Sequence, residues 1–297
     1  MKLKEGAILT QDNYYKLLVD YAVWRIKKKK NCLMCVVGGT GSGKSIAALF
    51  LAEEIQKRLL PDVPFTADNV TFKSSEFMEK TTGETALPSK STIIPDEFGV
   101  NQNSRRSMTS GNILLNDVFQ TFRSRQYCVI LTTPDFSFMD KTVRKLLHIF
   151  LDTKSIDFKN KRNKLKVQIM QNNAKYGKIY YHSLKVSRPD QPTVKIPHIF
   201  TGLPSQELWD AYEKKKSDYQ DELYERNLRA IKSEENLGEL TEKQELVYSM
   251  NQKGMKQSEI ADAMGLSATI IGKHLMACTK KGYKVQKFYA GFNGGKK

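Results

Sequence analysis

Leu33-Met-Cys-Val-Val-Gly-Gly-Thr-Gly-Ser-Gly-Lys-Ser45 is the stretch that decides the fold, because it joins an apolar run to a glycine-rich segment and then to a helical pattern. The apolar run from Cys32 to Val37 predicts a short buried strand. From Ile46 onward, apolar side chains recur at helical spacing until Pro61 ends the pattern. An unstructured glycine linker is not expected between a buried strand and an amphipathic helix. The stretch therefore predicts a strand, a tight loop and a helix in direct succession.

The loop matches the spacing G-x-x-x-x-G-K-[ST], the P-loop or Walker A pattern. Glycines have no Cβ atom, so backbone N–H groups can turn inward around a phosphate, and the positive end of the following helix adds to the attraction. Lys44 is expected to reach the β- and γ-phosphate oxygens, and Ser45 to coordinate Mg²⁺. The predicted nucleotide-binding residues are Gly38, Gly39, Thr40, Gly41, Ser42, Gly43, Lys44, Ser45 and Ile46. ATP and Mg²⁺ are the expected ligands.

A second apolar run, Ser91-Thr-Ile-Ile-Pro-Asp-Glu97, leads into two adjacent carboxylates. In P-loop enzymes a strand beside the P-loop strand ends with an aspartate that holds Mg²⁺, and a following glutamate can polarise the attacking water. We therefore predict that Asp96 binds the metal together with Ser45, and that Glu97 is the general base. An isolated Asp-Glu pair is usually a solvated turn, and Pro95 is unusual in a central strand because it lacks a backbone donor.

A third run, Tyr127-Cys-Val-Ile-Leu-Thr-Thr-Pro134, also ends in polar residues. Ligands of open parallel sheets bind beyond the carboxyl ends of the strands, so Thr132 and Thr133 are expected to face the γ-phosphate. Thr133 is the predicted sensor. The segment before this strand predicts a mobile polar loop over 101–110 and a helix over 112–122 that leads to Arg123.

Composition points to a polyanionic partner. The chain has 297 residues and a formal net charge of +16, which indicates nucleic acid or an anionic membrane surface unless the parent proteome is generally basic. No apolar run is long enough to span a membrane, and the N-terminus lacks the apolar core of a signal peptide, so we expect no integral membrane segment and a cytoplasmic location. Cys32 and Cys35 form a C-x-x-C without a second pair, which favours buried strand cysteines over a zinc site.

From His148 to Val186, apolar and polar residues alternate in three segments separated by turn-like stretches. This period predicts antiparallel strands that extend the sheet. The interval is also strongly basic, through Lys154, Lys159, Lys161, Arg162, Lys164, Lys166, Lys175, Lys178, Lys185 and Arg188. Such a surface suits sequence-independent contacts with DNA phosphates, although a solvated charged face has the same composition.

The last third begins with a charged stretch, residues 205–236, whose charge alternation predicts a long exposed helical spacer. Beyond it, Ala261, Gly265 and Ile271 have the offsets of a helix-turn-helix, with Thr241 and Ser267 as helix caps. This segment resembles the helix-turn-helix of many small DNA-binding domains, though such modules also dock proteins. The predicted domains are a P-loop ATPase domain over residues 1–203, a charged helical linker over 204–240 and a helix-turn-helix DNA-binding domain over 241–297.

The order of the motifs is similar to that of the HerA/FtsK superfamily of ring-forming, DNA-pumping ATPases, especially its small archaeal and mobile-element members that package viral DNA or serve conjugation. The resemblance covers roughly residues 30 to 155, and it rests on Gly38 to Ser45, Ile93 to Glu97, Arg123 to Thr133 and Arg144 to Leu151. It implies an α/β fold with a P-loop NTPase (RecA-like) core, an antiparallel strand extension and a small all-α C-terminal helix-turn-helix domain.

The same resemblance implies a function and a set of partners. These are DNA-stimulated ATP hydrolysis, translocation of double-stranded DNA, a hexameric homo-oligomeric ring, a virion or conjugation partner protein, and a gene of viral or plasmid origin. It also implies that Arg123 reaches into a neighbouring subunit's site, with Arg125 or Arg105 as alternatives. The family's usual glutamine after the sensor strand is absent, since Thr133-Pro134 occupies that place.

Two other functions remain open. One is an ATP-switched DNA-binding regulator or replication initiator that uses the helix-turn-helix. The other is a membrane-associated assembly ATPase similar to the Zot-like proteins, which usually carry a membrane span.

Overall fold

The computed structural model describes residues 10–97, 124–188, 191–235 and 238–286. They belong to two compact units that divide between Tyr219 and Gln220. Several predictions fall outside the described residues, namely the loop over 101–110, the helix over 112–122, Arg105, Arg123 and residues 287–297 of the predicted C-terminal domain.

The first unit is built on one mixed sheet. Its described strands are β1 (Cys32–Val37), β2 (Val70–Thr71), β3 (Thr92–Pro95), β4 (Cys128–Thr133), β5 (Ile149–Asp157), β6 (Arg162–Asn173), β7 (Lys178–Arg188), β8 (Gln191–Ile196) and β9 (His198–Thr201). Their order is β2-β3-β4-β1-β5-β6-β7-β8, with β9 paired to β6. Strands β2, β3, β4, β1 and β5 are parallel, whereas β6 to β9 pair antiparallel. The chain therefore has a mixed α/β fold with a central parallel sheet and the antiparallel extension that was predicted.

Two features of the sheet differ from the expectation. The strand that carries Asp96, β3, does not lie beside the P-loop strand β1, because β4 is inserted between them. Strands β8 and β9 were not predicted, because they lie beyond Val186, where the predicted alternating segments end. Pro192 lies in β8, the edge strand of the sheet order, where the missing backbone donor of proline costs little.

Helices cover both faces of the parallel part. Those of the first unit are α1 (Tyr14–Lys27), α2 (Lys44–Leu59), α3 (Ser74–Thr82), α4 (Lys141–Leu146) and the start of α5 (Gln206–Glu235). Alternate residues of β1 face two apolar clusters, with Met34 packed with residues of α1 and α2, and Leu33 packed with Phe77 of α3 and Val143 of α4. Burial on both faces explains why β1 is apolar at every position.

The start of α5 is part of the first unit rather than an exposed spacer. Leu208 and Tyr212 are buried in the larger apolar cluster, and the ring of Tyr219 stacks on Phe72 with centroids 4.9 Å apart. The ammonium of Lys215 donates to the carbonyl of Val70 at 2.5 Å and pairs with Glu76 at 2.6 Å. Residues 204–219 thus pack with the sheet, whereas the sequence placed the end of the first domain at residue 203.

The second unit contains α6 (Glu242–Gln252), α7 (Gln257–Met264) and α8 (Ala268–Lys280), which enclose a small cluster of Val247, Ile260, Ala261 and Ile271. Both predicted caps are present, since the Thr241 hydroxyl accepts from the N–H of Gln244 and the Ser267 hydroxyl from that of Ile270. Gly265 ends α7 with φ 63°, a left-handed conformation that favours glycine. After α8 the chain returns along α6, where the amide of Asn251 bonds both backbone groups of Gln286.

A buried histidine gives the fold an acid-sensitive point. Nδ1 of His148 accepts a hydrogen bond of 3.0 Å from the N–H of Leu33 in β1. Burial lowers the pKa of His148 to about 3, and the charges of Arg25 and Lys30 add to this effect. The unfolded chain binds a proton at this histidine near its ordinary pKa of 6.5, so stability is lost as the pH falls from about 6.5 towards 3.

We therefore expect His148→Gln to remove part of the acid sensitivity. At pH 4.5 the histidine should cost the wild type about 2 kcal/mol relative to neutral pH, a difference that urea unfolding followed by circular dichroism at pH 7 and pH 4.5 would measure. The exposed His182 serves as a control, because His182→Gln should follow the wild type. Equal pH dependence in His148→Gln and the wild type would contradict the assignment.

Candidate nucleotide-binding site

The glycine-rich loop lies between the end of β1 and the start of α2, as the sequence predicted. Gly43 has φ 81° and directly precedes Lys44, the first residue of α2. Side chains crowd this backbone, since a Cβ atom on Gly43 would lie 2.5 Å from Nδ2 of Asn163, and one on Gly38 would lie 1.8 Å from the Thr153 hydroxyl. Both glycines are therefore required by close packing, and Gly43 also by its backbone conformation.

Two residues of the β5–β6 hairpin hold the loop in place. The Thr153 hydroxyl lies 3.1 Å from the carbonyl of Val37, to which it donates, and 2.8 Å from the Ser42 hydroxyl. Nδ2 of Asn163 donates to the carbonyl of Gly43 at 3.0 Å. The register of the hairpin shifts between Thr153 and Ser155, a bulge of the kind that re-aims side chains near functional sites. Neither residue was predicted from the sequence, because small polar side chains in an alternating strand do not indicate a binding site.

Ser45 and Asp96 come together at the carboxyl end of the sheet. The Ser45 hydroxyl lies 3.2 Å from both carboxylate oxygens of Asp96, which is 2% exposed. Thr132, at the end of the inserted strand β4, donates to Oδ1 of Asp96 at 2.5 Å. Serine, threonine and carboxylate oxygens are the hard ligands that Mg²⁺ prefers, and this ion usually binds one or two carboxylates plus substrate phosphates. The residues present therefore fit a magnesium site, in which Ser45 and Asp96 would hold the ion.

Pro95 is accommodated because β3 ends there. The pairs between β3 and β4 are Thr92 with Cys128 and Ile93 with Val129, so Pro95 lies beyond them. On the other side, the N–H of Asp96 donates to the carbonyl of Thr71 at 2.9 Å. The missing donor of proline consequently breaks none of the described pairs.

Glu97 follows Asp96 with φ 54°, an uncommon conformation for a residue with a side chain. Its N–H donates to the Thr132 hydroxyl at 2.9 Å, which fixes the backbone at the turn. Non-glycine residues in this conformation occur where the surroundings determine them, often at functional sites. The side chain of Glu97 is 35% exposed and lies at the cleft that borders the P-loop.

Thr132, rather than Thr133, contacts the acidic pair. The Thr133 hydroxyl donates to the carbonyl of Asp135 at 3.0 Å. Successive side chains of a strand point to opposite faces, so a shift of one residue decides which threonine meets Asp96. The structure therefore brings Thr132, and not the predicted sensor Thr133, to Asp96.

Lys44 lies at the mouth of the loop, where its ammonium donates to the carbonyl of Gly39 at 2.8 Å. Burial lowers the pKa of Lys44, while the carboxylates of Asp96 and Glu97 act in the opposite direction. Lys44 thus lies within the electrostatic field of both acids.

Helix α5 supplies the opposite wall of the site. A cleft of about 350 Å³ separates the P-loop from Trp209, Tyr212 and Lys216. The Tyr212 hydroxyl donates to Oδ2 of Asp96 at 2.6 Å, and burial together with the adjacent carboxylate raises the pKa of Tyr212 far above its usual range. This wall was not predicted from the sequence. The aromatic residues at helical spacing within a charged helix could have indicated that the helix packs against the core.

Other site types receive no support from the described residues. Within residues 10–97, 124–188, 191–235 and 238–286, no group of three or more His, Cys, Asp or Glu side chains could hold a metal. The four cysteines are free and buried, which was expected for Cys32 and Cys35. None of the described helices is long and apolar enough to cross a membrane.

The sequence matches no protein-family model and no curated protein. Among solved structures, the chain is similar to the N-terminal domain of zonular occludens toxin from Neisseria meningitidis, with 17% sequence identity, a TM-score of 0.32, and coverage of 52% of this chain and 95% of that one. The genome packaging NTPase B204 from Sulfolobus turreted icosahedral virus 2, solved in complex with ATP-gammaS, has 11% identity, a TM-score of 0.33 and coverage of 52% and 97%. The flagellar accessory protein FlaH from Methanocaldococcus jannaschii has 14% identity, a TM-score of 0.31 and coverage of 60% and 98%. These identities and TM-scores are too low to support a conclusion about this chain.

Proposed function

We propose that this chain is an ATP-hydrolysing motor of the HerA/FtsK kind that moves double-stranded DNA. The observation that carries the ATPase part is the contact between Ser45 of the P-loop helix and Asp96, which directly follows β3, with Glu97 next in the chain and at the same cleft. A phosphate loop alone would only bind nucleotide. A metal-binding pair with an adjacent carboxylate also allows hydrolysis.

Each residue has a distinct task in this proposal. The loop N–H groups and Lys44 hold the phosphates, and Glu97 accepts a proton from the attacking water. Ser45 and Asp96 would hold Mg²⁺, which neutralises charge on the phosphate oxygens when bound. Thr132 fixes both acids through bonds of 2.5 Å to Asp96 and 2.9 Å from the N–H of Glu97.

The proposed DNA contacts rest on charge. Lys159, Lys161, Lys175 and Lys178 are exposed near the two turns of the β5–β6–β7 meander, within a chain of net charge +16. Such contacts neutralise phosphates without reading bases. In the second unit, Thr269 and Lys273 are exposed on α8, the proposed recognition helix of a helix-turn-helix.

The remaining parts of the proposal rest on the family resemblance. They are a hexameric ring of identical subunits, a virion or conjugation partner, a viral or plasmid gene, and Arg123 as the residue that completes a neighbour's site. Arg125 is an exposed alternative.

DNA-dependent turnover tests the motor. We expect long duplex DNA of unrelated sequences to raise the steady-state ATPase rate several-fold, and Lys175→Ala with Lys178→Ala to reduce this stimulation. Loss of two phosphate contacts should also lower the salt slope of DNA binding by about two, while turnover without DNA stays unchanged.

The rival function gives a different result. If DNA leaves turnover unchanged while ATP alters the affinity for one particular sequence, the chain is a nucleotide-switched regulator. The proposal of a motor would be overturned if the wild-type protein binds ATP without hydrolysing it.

A further inference from the structure

The side chain of Lys216 reaches the nucleotide site from α5. Its ammonium lies 3.3 Å from Oε1 of Glu97 and 3.8 Å from Oδ2 of Asp96. The side chain is only 23% exposed, so it belongs to the cleft rather than to the surface of a charged helix. No motif in the sequence indicated this position.

The lysine is held in place by its neighbours. Its ammonium donates to the Tyr212 hydroxyl at 3.2 Å, and Tyr212 in turn donates to Asp96. One residue earlier, Lys215 fastens the helix to the carbonyl of Val70 and to Glu76. The rotation of α5 is therefore fixed, and Lys216 points into the cleft.

The location of Lys216 within the cleft identifies the part of a nucleotide that it would meet. If Glu97 is the general base, it must lie next to the water that attacks the terminal phosphate. A cation in contact with Glu97 then lies on the terminal-phosphate side, whereas the loop from Gly38 to Gly43 covers the β-phosphate.

Charge favours the same conclusion. Lys44 and Lys216 bring two ammonium groups to one cleft, and the charge of Lys216 adds to burial in lowering the pKa of Lys44. A terminal phosphate would attract both groups, and ammonium groups bind phosphate oxygens through strong charge-assisted hydrogen bonds.

We propose that Lys216 is a specificity-determining residue, which binds the terminal phosphate of a nucleoside triphosphate in its own subunit and makes the site prefer triphosphates to diphosphates. This inference rests on the proposed function for the place of the terminal phosphate. In this proposal the site has a second cation, supplied by α5, besides the P-loop lysine.

The test compares a triphosphate with a diphosphate in binding. Dissociation constants for ATP-gammaS and ADP would be measured by isothermal titration calorimetry on the full chain in the presence of Mg²⁺. For Lys216→Met we expect the ATP-gammaS affinity to fall by about tenfold to a hundredfold, with ADP affinity changed less than about threefold. Lys216→Arg, which keeps the charge, should recover much of the preference.

Lys214→Met is the matched control, because Lys214 is exposed on the same helix, two residues away. It should bind both nucleotides like the wild type. An equal loss for ATP-gammaS and ADP, or no loss at all in Lys216→Met, would overturn the inference.

The two proposals fail separately. If the wild type hydrolyses ATP while Lys216→Met keeps its preference for ATP-gammaS, only the role of Lys216 is lost. If the wild type does not hydrolyse ATP, but its preference for ATP-gammaS depends on Lys216, only the proposal of a motor fails.

Discussion

Lys44→Ala should reduce the steady-state ATPase rate by about a thousandfold. In the proposed mechanism the positive charge of Lys44 meets the phosphate oxygens as charge develops on them, and loss of such a group typically costs a hundredfold to a thousandfold or more. Its described hydrogen bond reaches only the carbonyl of Gly39, so the fold should survive the change. Phosphate release and thermal unfolding measured on the same sample would separate the two effects.

Lys57→Ala is the control for this experiment, because Lys57 is exposed on the same helix α2. It should keep wild-type turnover. Mixing Lys44→Ala with Arg123→Ala subunits also tests the proposed shared site, since two inactive proteins that regain activity together must contribute residues in trans. A Lys44→Ala protein that retains more than about a tenth of the wild-type rate contradicts the phosphate-binding role.

Glu97→Gln should lower turnover by about a hundredfold or more while ATP affinity is kept. The substitution preserves shape, and the N–H bond to Thr132 that fixes the backbone is unaffected. It removes the carboxylate that can accept a proton. The rate of hydrolysis and the dissociation constant for ATP would be measured in parallel, with Glu84→Gln at an exposed position as the matched control.

Two results would contradict the role of Glu97. One is turnover within threefold of the wild type. The other is a parallel loss of ATP binding, which would mean that Glu97 shapes the cleft instead of activating water.

The local part of the site was predictable from sequence. The bounds of β1 were predicted as Cys32 to Val37, and α2 begins at Lys44, because an apolar run, a glycine loop and a helical period are all short-range patterns. Ser45 and Asp96 were expected to meet, and they lie 3.2 Å apart. The caps Thr241 and Ser267 were also predicted, since N-capping depends on neighbouring residues only.

The remaining features depend on long-range pairing. No local period tells which strand enters between β1 and β3, so the insertion of β4 was not foreseen. With β4 inserted, strand alternation determines that Thr132 rather than Thr133 meets Asp96. The wall formed by α5 was not predicted for a different reason. Charged residues dominate the sequence of that helix, whereas Tyr212 and Lys216 contact residues that are distant in sequence.

The attachment of the β5–β6 hairpin to the phosphate loop has a mechanical consequence. Thr153 bonds the carbonyl of Val37 and the Ser42 hydroxyl, and Asn163 bonds the carbonyl of Gly43. Both residues belong to the hairpin whose turn carries the exposed Lys159 and Lys161. In the proposed motor, a pull on this turn by bound DNA would therefore reach the phosphate loop through a few residues and these hydrogen bonds, so the load on the DNA and the affinity for the phosphates would depend on each other.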